Sequence, residues 1–333
     1  MIFLMFKVRE FHNRLIDDWL EVWGDQAARF PEFLAPITRQ VMELQILGNP
    51  LFDPAGLLIA YDETRPIGVI HAAFGPNPSG SDLSRLVGIL YPPVIRSDIP
   101  HDRGEVARAL IEAAENYLSS RGTRRWYAGG YANSSPFYTG LYGWTNPVGV
   151  CDDDVETIGI FRQMGYRPCG TSRRFRLVCA PYRPVITPKI QAADNEVVVS
   201  RFVRQSEPSW WEANIYRNFE TEEWNVFYRN AINDDPIAGA VFRRMSPTFS
   251  TRGEIEQTEV RYILDYIAVV ESKLRRGIAS LLLMVALADL SRLNSEFIVD
   301  TVTDVRDARL TSFLLASRFE EVGTVSSFFK VVS

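Results

Sequence analysis

Residues 264–280 read LDYIAVVESKLRRGIAS, and this segment is the most informative about the architecture of the chain. Its apolar first part predicts a buried strand, and a turn with two arginines and a glycine leads from it directly into an apolar helix. The first amides of a helix have no partner within the helix, and its N-terminal end is positive. Small residues such as Gly277 and Ala279 let an anion approach these amides. The pattern therefore predicts a phosphate-binding turn, to which Arg275 and Arg276 add positive charge.

The helix after this turn has a copy earlier in the chain. Residues 278–291 (IASLLLMVALADLS) align without a gap on residues 106–119 (VARALIEAAENYLS), and five of the fourteen pairs are identical. A similar order of predicted strands and helices surrounds both copies, which indicates two like-folded units of α/β or α+β type. The predicted division is an N-terminal unit (1–182), a proline-containing linker without periodicity (183–196) and a C-terminal unit (197–333).

Two local predictions concern the N-terminal unit. Residues 36–47 are predicted to form a helix. The helix copies are offset by 172 residues, whereas Gly165-Tyr166 and Arg318-Phe319 are offset by 153, so the first unit carries an insertion at about 129–150. Its aromatic and glycine residues are compatible with a lid over a substrate. They are also compatible with a loop packed on its own domain or across the seam between the units.

Composition excludes several classes of protein. The 36 Lys and Arg against 41 Asp and Glu give a formal charge of −5, which argues against a general nucleic-acid binder. Cys151, Cys169 and Cys179 have no metal-ligand spacing and the three histidines do not cluster, so we expect no metal site and reduced thiols in a cytoplasmic protein. No stretch approaches the about 20 apolar residues that cross a membrane, so no membrane partner is expected. The oligomeric state stays open.

The stretch 264–280 resembles motif A of the GNAT acyltransferases, the Gcn5-related superfamily, whose pattern is Gln/Arg-x-x-Gly-x-Gly/Ala after the fourth strand. Gly277 and Ala279 match its two small positions, and Leu274 departs from its Gln/Arg position. The resemblance covers nearly the whole chain as a tandem pair. It implies that each unit has a mixed, mostly antiparallel central sheet flanked by helices.

The resemblance also implies acetyl-CoA, or another acyl-CoA, as co-substrate. The strand residues implied to pair with the pantetheine arm are Ile267, Ala268 and Val269. The residues implied to surround the pyrophosphate are Arg275, Arg276, Gly277, Ile278, Ala279 and Ser280.

The N-terminal unit resembles the same family with an altered turn. Glu105 is in register with Gly277, and a carboxylate there would repel a pyrophosphate. A one-residue deletion that lets Gly104 take the small position is the alternative. Asn133, Phe137 and Tyr138, followed by Gly165-Tyr166, look like the family's later motif.

Catalytic groups are less complete. The family commonly uses a Glu on the fourth strand as base and a Tyr in the later helix as acid, and these positions fall here on Ile263 and Leu314. Asp265 is the candidate base, and Tyr266 or Tyr262 the candidate acid. The alternatives are that Asp265 pairs with an arginine such as Arg261 and that the tyrosines are core residues.

Two further features allow two interpretations each. His71 is either near a pocket of the first unit or a hydrogen-bonded core imidazole. The run Asp152-Asp153-Asp154 either attracts a cationic amine or begins a helix.

We therefore expect an acyl-CoA-dependent N-acyltransferase that acetylates a primary amine, of a small molecule or peptide, by direct transfer in the C-terminal unit. The main alternative is an acyl-CoA-binding module without turnover. A transferase that uses a charged-tRNA donor is a third alternative, disfavoured by the acidic balance.

Overall fold

The computed structural model describes residues 6–131, 134–146, 149–203, 206–231, 235–245 and 260–331. The N-terminal strands are β1 (Lys7–Glu10), β2 (Leu57–Asp62), β3 (Arg65–Pro76), β4 (Leu83–Leu90), β5 (Val94–Ile95), β6 (Arg125–Ala128), β7 (Val150–Cys151) and β8 (Arg167–Cys179). The C-terminal strands are β9 (Val197–Val203), β10 (Glu220–Tyr228), β11 (Ala238–Arg244), β12 (Val260–Val269), β13 (Phe297–Asp304) and β14 (Glu320–Val331). The helices are α1 (Ile16–Arg29), α2 (Arg39–Val41), α3 (Arg103–Ser120), α4 (Val155–Gln163), α5 (Pro188–Glu196), α6 (Trp210–Ile215), α7 (Ile278–Leu293) and α8 (Ala308–Ala316).

The strands form one continuous mixed sheet. Its path is β1-β2-β3-β4-β6-β14-β8-β13-β12-β11-β10-β9, with β5 on β3 and β7 on β14. Neighbours along the path are antiparallel except for β4 with β6 and β12 with β13. Each repeat helix, α3 or α7, connects the two strands of one parallel pair, as a parallel connection requires. The predicted architecture, a mixed and mostly antiparallel sheet flanked by helices, is thereby confirmed.

The last strands of the two halves are exchanged. β14, at the C-terminal end of the described chain, pairs with β6 of the N-terminal half. β8, the last strand before the linker, pairs with β13 of the C-terminal half. The two exchanged strands also pair with each other, which joins the halves into one sheet. The division of the chain at residues 183–196 therefore does not coincide with a division in the sheet.

Three apolar clusters cover the faces of this sheet. One packs α3 and α4 on the N-terminal half, and a second packs α5, α7 and α8 on the C-terminal half. The third lies on the other face and contains side chains of both halves, including Trp19 and Trp23 of α1 and Trp211 and Ile215 of α6. The aromatic insertion belongs to this third cluster.

Several local predictions need correction. The helix predicted over 36–47 is only one short α-helical segment, α2, followed by π-helical residues Met42–Leu47. The linker is not irregular throughout, because Thr187 caps α5 and α5 buries Ile190 and Ala193. The predicted residue Asn133 lies outside the described residues.

The insertion is packed. Phe137, Tyr138, Leu141, Tyr142 and Trp144 are all buried. Tyr138 stacks on Trp23, with their ring centroids 5.6 Å apart, and Trp144 lies under the guanidinium of Arg261. The aromatic residues of the insertion therefore form part of the core across the seam rather than a lid.

No helix in the described ranges is long and apolar enough to cross a membrane. Within the same ranges, no group of three or more His, Cys, Asp or Glu side chains is placed to hold a metal ion.

Candidate functional site

The turn before α7 has an open backbone geometry. Arg275 and Gly277 both have positive φ, of 63° and 84°, and Gly277 is the N-cap residue. No side chain caps α7, and the first helix amide that bonds back is that of Leu281, to the carbonyl of Gly277. The amides of the first turn are therefore available to an anion. We call residues 274–277 the phosphate turn, after the ligand that the sequence predicts for it.

Glycine is required in this turn for two reasons. Its φ of 84° is in the left-handed region, and a Cβ at Gly277 would lie 2.7 Å from the carbonyl oxygen of Lys189. Lys189 belongs to α5 in the linker, so the linker helix supports the phosphate turn from behind. Arg275 and Arg276 are both exposed, and neither forms an ion pair with another described residue.

A cleft leads from this turn along the edge of β12. The parallel pairing of β12 with β13 ends at Ile263 and Asp300, although both strands continue. The hydroxyl of Thr301 donates to the carbonyl of Leu264 at 2.7 Å, and beyond it no described strand covers this edge of β12. Strands β12 and β13 therefore diverge beyond this point. The edge of β12 there has backbone N–H and C=O groups that have no partner among the described strands and that a ligand can use.

The cleft, which we call the C-terminal cleft, has a volume of about 600 Å³. It brings together eight of the nine residues predicted to bind the co-substrate, namely Ile267, Ala268, Val269, Arg275, Gly277, Ile278, Ala279 and Ser280; Arg276 is adjacent but does not line it. The sequence prediction missed its opposite wall, formed by Asp307, Arg309, Leu310 and Phe313 at the start of α8. The 153-residue offset of the later repeat was the signal for this wall, because it aligns Asp307 with Asp154.

A β-bulge in β12 positions the two candidate catalytic residues. Val241 of β11 is opposite Tyr266 and Phe242 is opposite Leu264, which leaves Asp265 as the extra residue. Because of this extra residue, Asp265 and Tyr266 share one face of the sheet although they are neighbours in sequence. That face is opposite α7.

Asp265 is in a polar cluster that the sequence did not predict. Its carboxylate accepts from Nε of Arg243 at 2.9 Å and from Nδ2 of Asn146 at 3.0 Å, and the hydroxyl of Tyr216 is 3.4 Å away. Arg243 is only 1% exposed and also pairs with Glu207. The alternative that Asp265 pairs with an arginine is therefore confirmed, but the partner is Arg243 rather than Arg261, which pairs with Asp300.

The candidate acids and the two positions that carry the base and acid in the family are mostly buried. Tyr266 is 52% exposed and does not line the cleft, and Tyr262 is buried and accepts a hydrogen bond from Asn294. Ile263 and Leu314 are fully buried in apolar clusters. Burial raises the pKa of Tyr216, whose hydroxyl is nearest to Asp265.

The two remaining candidates are structural. The ring of His71 is buried against Phe137 and its Nδ1 is 3.1 Å from the hydroxyl of Tyr138. Burial lowers the pKa of His71 to about 3, so it is a neutral core imidazole. Asp154 caps α4 by accepting from the amide of Thr157, as a helix start requires.

The N-terminal unit has no phosphate turn. α3 begins at Arg103, so Gly104 and Glu105 are helical, whereas their counterparts Arg276 and Gly277 precede α7. Asp102 caps α3 by accepting from the amide of Glu105 at 2.9 Å. The proposed alternative placement of Gly104 does not occur, since an additional helical turn replaces the loop in which it would lie.

The fold has close counterparts among solved structures. A tandem GNAT protein from the clavulanic acid biosynthesis pathway matches with a TM-score of 0.65 at 12% identity over 98% of both chains. A GCN5-related N-acetyltransferase from Sphaerobacter thermophilus matches with a TM-score of 0.64 at 11% identity, covering 99% of this chain and 97% of its own. A glucosamine N-acetyltransferase region of a fungal multi-domain β-N-acetylglucosaminidase matches with a TM-score of 0.67 at 15% identity, over 98% of this chain and 38% of that one.

The chain therefore has the tandem GNAT fold that its sequence predicts. No protein-family model matches the sequence, and no curated protein matches it in sequence either.

Proposed function

We propose that this chain is an acyl-CoA-dependent N-acyltransferase. Its C-terminal unit would bind acetyl-CoA, or another acyl-CoA, and transfer the acyl group directly to a primary amine of a small molecule or peptide. The observation that carries this proposal is one cleft in which an unpaired strand edge leads to the uncapped N-terminus of α7. The tandem GNAT fold supports the same class of donor.

The residues of the cleft fit such a donor. The amides at the start of α7 and the side chains of Arg275, Arg276 and Arg309 suit a pyrophosphate. The backbone of Ile267 and Val269 suits the amide groups of a pantetheine arm. A bound acyl-CoA supplies the acyl group as a thioester, whose carbonyl an amine can attack.

The face of the bulge suits the amine. Asp265 would accept the ammonium proton, directly or through the nearby hydroxyl of Tyr216, and Tyr266 would donate a proton to the leaving group. The acidic Glu207 adjoins this site through Arg243 and favours a cationic acceptor.

A second candidate function is an acyl-CoA-binding module without turnover. Two observations favour it. The positions of the usual family base and acid carry Ile263 and Leu314, and both side chains are buried. The two carboxylate oxygens of Asp265 are already engaged by Arg243 and Asn146.

Calorimetric titration with acetyl-CoA tests donor binding. The wild-type protein would be compared with Arg276→Glu, which changes an exposed charge beside the phosphate turn, and with Gly277→Glu, which fills the turn. Gly24→Glu adds the same charge at an exposed position of α1 where a Cβ meets nothing within 4 Å, so it is the matched control.

Binding at one site, weakened by both substitutions at the turn and unchanged in Gly24→Glu, is the expected result. Absence of binding by the folded wild-type protein would overturn the proposal. Release of free CoA thiol with a panel of small amines and peptides then separates a transferase from a binding module. Release that requires an amine supports transfer, and binding without release supports the module.

A further inference from the structure

The N-terminal unit contains a cleft of its own. It has a volume of about 830 Å³ and lies between residues 29–34, residues 92–97, the start of α3, the start of α4 and strand β8. We call it the N-terminal cleft. It is larger than the C-terminal cleft, and its volume is in the range of small-molecule sites.

The two clefts are equivalent positions of the repeat. Ala107 lines the N-terminal cleft and Ala279, 172 residues later, lines the C-terminal cleft. Asp154 and Asp307, 153 residues apart, correspond in the same way, as do six further lining positions. The N-terminal cleft is therefore the counterpart of the proposed acyl-CoA site.

The chemistry of the N-terminal cleft is nevertheless different. The start of α3 is occupied by the carboxylate of Asp102, and Arg103 donates to the carbonyls of Ile95 and Arg96. Four acidic and three basic side chains line this cleft, whereas two acidic and three basic side chains line the other. A pyrophosphate in this cleft would find the amides of the α3 N-terminus already capped and would be repelled by the acidic side chains around it. The N-terminal cleft therefore does not suit CoA.

Arg174 of β8 is the unusual residue of this cleft. It is 4% exposed, and in the described part of the chain its hydrogen-bond acceptors are the backbone carbonyls of Glu32 and Val322. Its Nε has no partner, and no carboxylate of the described residues is within 4.0 Å of its guanidinium. The nearby carboxylate of Glu32 pairs with Arg176 instead.

An arginine in this state is costly. Burial of a charge is compensated in proteins by an opposite charge, and neutral carbonyls compensate it only in part. A guanidinium that lines a cleft without a carboxylate partner is suited to a carboxylate. The other walls are largely apolar and include Phe30, Phe33, Leu34 and Tyr142.

We propose that the N-terminal cleft binds a small monocarboxylate with an apolar body, whose carboxylate pairs with Arg174. The acidic side chains Asp153 and Glu156 at the rim of α4 disfavour ligands with several negative charges. The N-terminal unit of the tandem thus has a ligand site that is different from the proposed acyl-CoA site and independent of it.

The thiol of Cys151 allows this site to be tested on the full-length protein. Cys151 lines the N-terminal cleft, and Cys169 is exposed elsewhere and provides an internal reference. The rate of alkylation of each thiol by iodoacetamide is measured by peptide mass spectrometry. The probes are benzoate, phenylacetate and hexanoate, each compared with its neutral amide.

We expect at least one carboxylate to slow alkylation of Cys151, by about tenfold at ten times its dissociation constant. Its amide should protect far less, and Cys169 should react at an unchanged rate. Arg174→Gln should abolish the protection, whereas Arg173→Gln, on the neighbouring residue outside the cleft, should retain it. Acetyl-CoA should leave the alkylation rate of Cys151 unchanged.

Several results would overturn the proposal. These are equal protection by the carboxylates and their amides, no protection by any probe, unchanged protection in folded Arg174→Gln, or protection of Cys151 by acetyl-CoA. The comparison of acid with amide uses the wild-type protein, so the test holds even if Arg174→Gln does not fold. Titration of acetyl-CoA at the C-terminal cleft is a separate measurement, so the two proposals can fail separately.

Discussion

Arg103 and Arg275 are equivalent residues of the repeat, yet one begins a helix and the other lies in an open turn. Arg103 is the first residue of α3, whereas Arg275 has a φ of 63° and precedes α7 by three residues. The difference arises at the caps: Asp102 caps α3 with its side chain, and Gly277 ends the turn before α7 without a side-chain cap. At equivalent positions of the fold, the Asp102 carboxylate therefore neutralises the positive end of α3, whereas the positive end of α7 has no side-chain cap.

The first prediction is that acetyl-CoA binds at one site per chain. Replacing Glu105 by Gly should not create a second site, because Asp102 still caps α3 and the turn stays helical. Calorimetric stoichiometry of the wild-type protein and of Glu105→Gly checks this. A stoichiometry of two in either protein would contradict the assignment of the N-terminal cleft to a different ligand.

The second prediction concerns the support of the phosphate turn by the linker helix. Gly277 and Gly122 have nearly the same φ, 84° and 83°, but a Cβ at Gly122 meets nothing within 4 Å. Gly122→Ala should cost about 1 kcal/mol for the backbone conformation alone. Gly277→Ala should cost about 1–3 kcal/mol more, because its Cβ would contact the carbonyl of Lys189.

Urea denaturation of both alanine variants measures the two costs. Acetyl-CoA affinity should fall in Gly277→Ala only, since α5 and the turn must separate to admit the methyl group. Equal losses of stability in the two variants would mean that the backbone at Lys189 moves aside at little energetic cost and does not support the turn.

The sequence predicted the turn before α7 and the two helix copies because the pattern of each is local. The apolar strand, the Arg-Arg-Gly turn and α7 lie within 30 consecutive residues, and α7 begins at Ile278 as expected. The linker helix α5 was missed because its periodicity is weak over nine residues, and burial of Ile190 and Ala193 against the C-terminal core stabilises it.

The features that the sequence could not supply are non-local. The exchange of β8 and β14 leaves no trace in strand patterns, because either strand could pair with either neighbour. The pairing of Asp265 with Arg243 depends on a bulge that shifts the register by one residue. The lack of a carboxylate partner for Arg174 depends on which residues the fold packs around it, and no spacing in the sequence predicts those neighbours.

The third prediction tests the role of Asp265. Asp265→Asn removes a charged acceptor from buried Arg243 and should lower the free energy of unfolding by about 2 kcal/mol. Tyr266→Phe should change it by less than about 0.5 kcal/mol, because Tyr266 is half exposed. Acyl transfer is measured at a temperature where both variants are fully folded. If Asp265 is the base, its variant loses kcat under these conditions; an unchanged kcat would restrict Asp265 to a positioning role.

The fourth prediction concerns the pH dependence of stability. The pKa of His71 is about 3 in the folded protein and about 6.5 in the unfolded chain. Below pH 6.5 the unfolded state binds a proton that the folded state does not, so this residue lowers stability as the pH falls. Between pH 7.5 and 5 its contribution should be about 2 kcal/mol.

Urea denaturation at the two pH values, for the wild-type protein and His71→Phe, measures this contribution. The wild-type protein should lose about 2 kcal/mol more than the variant on acidification. His101 pairs with Asp62 and is present in both proteins, so its effect cancels in the difference. Parallel losses would show that the imidazole is solvated or charged in the folded protein.

The fifth prediction follows from the exchanged strands. Phe328 is in β14, near the C-terminal end of the chain, but its fully buried ring packs in the N-terminal core near Phe161, with ring centroids 6.1 Å apart. Phe328→Ala should therefore cost about 3–5 kcal/mol. Val331→Ala in the same strand is the control, since Val331 is 61% exposed and should cost less than about 0.5 kcal/mol.

Hydrogen exchange in α3 and α7 locates the loss. If β14 served only the C-terminal half, Phe328→Ala would release the amides of α7 and leave those of α3 protected. The strand exchange predicts that α3 loses at least as much protection as α7, because the ring of Phe328 lies in the cluster beneath α3. Exchange confined to α7 would contradict the pairing of β14 with β6, and with it the continuity of the sheet through the two halves.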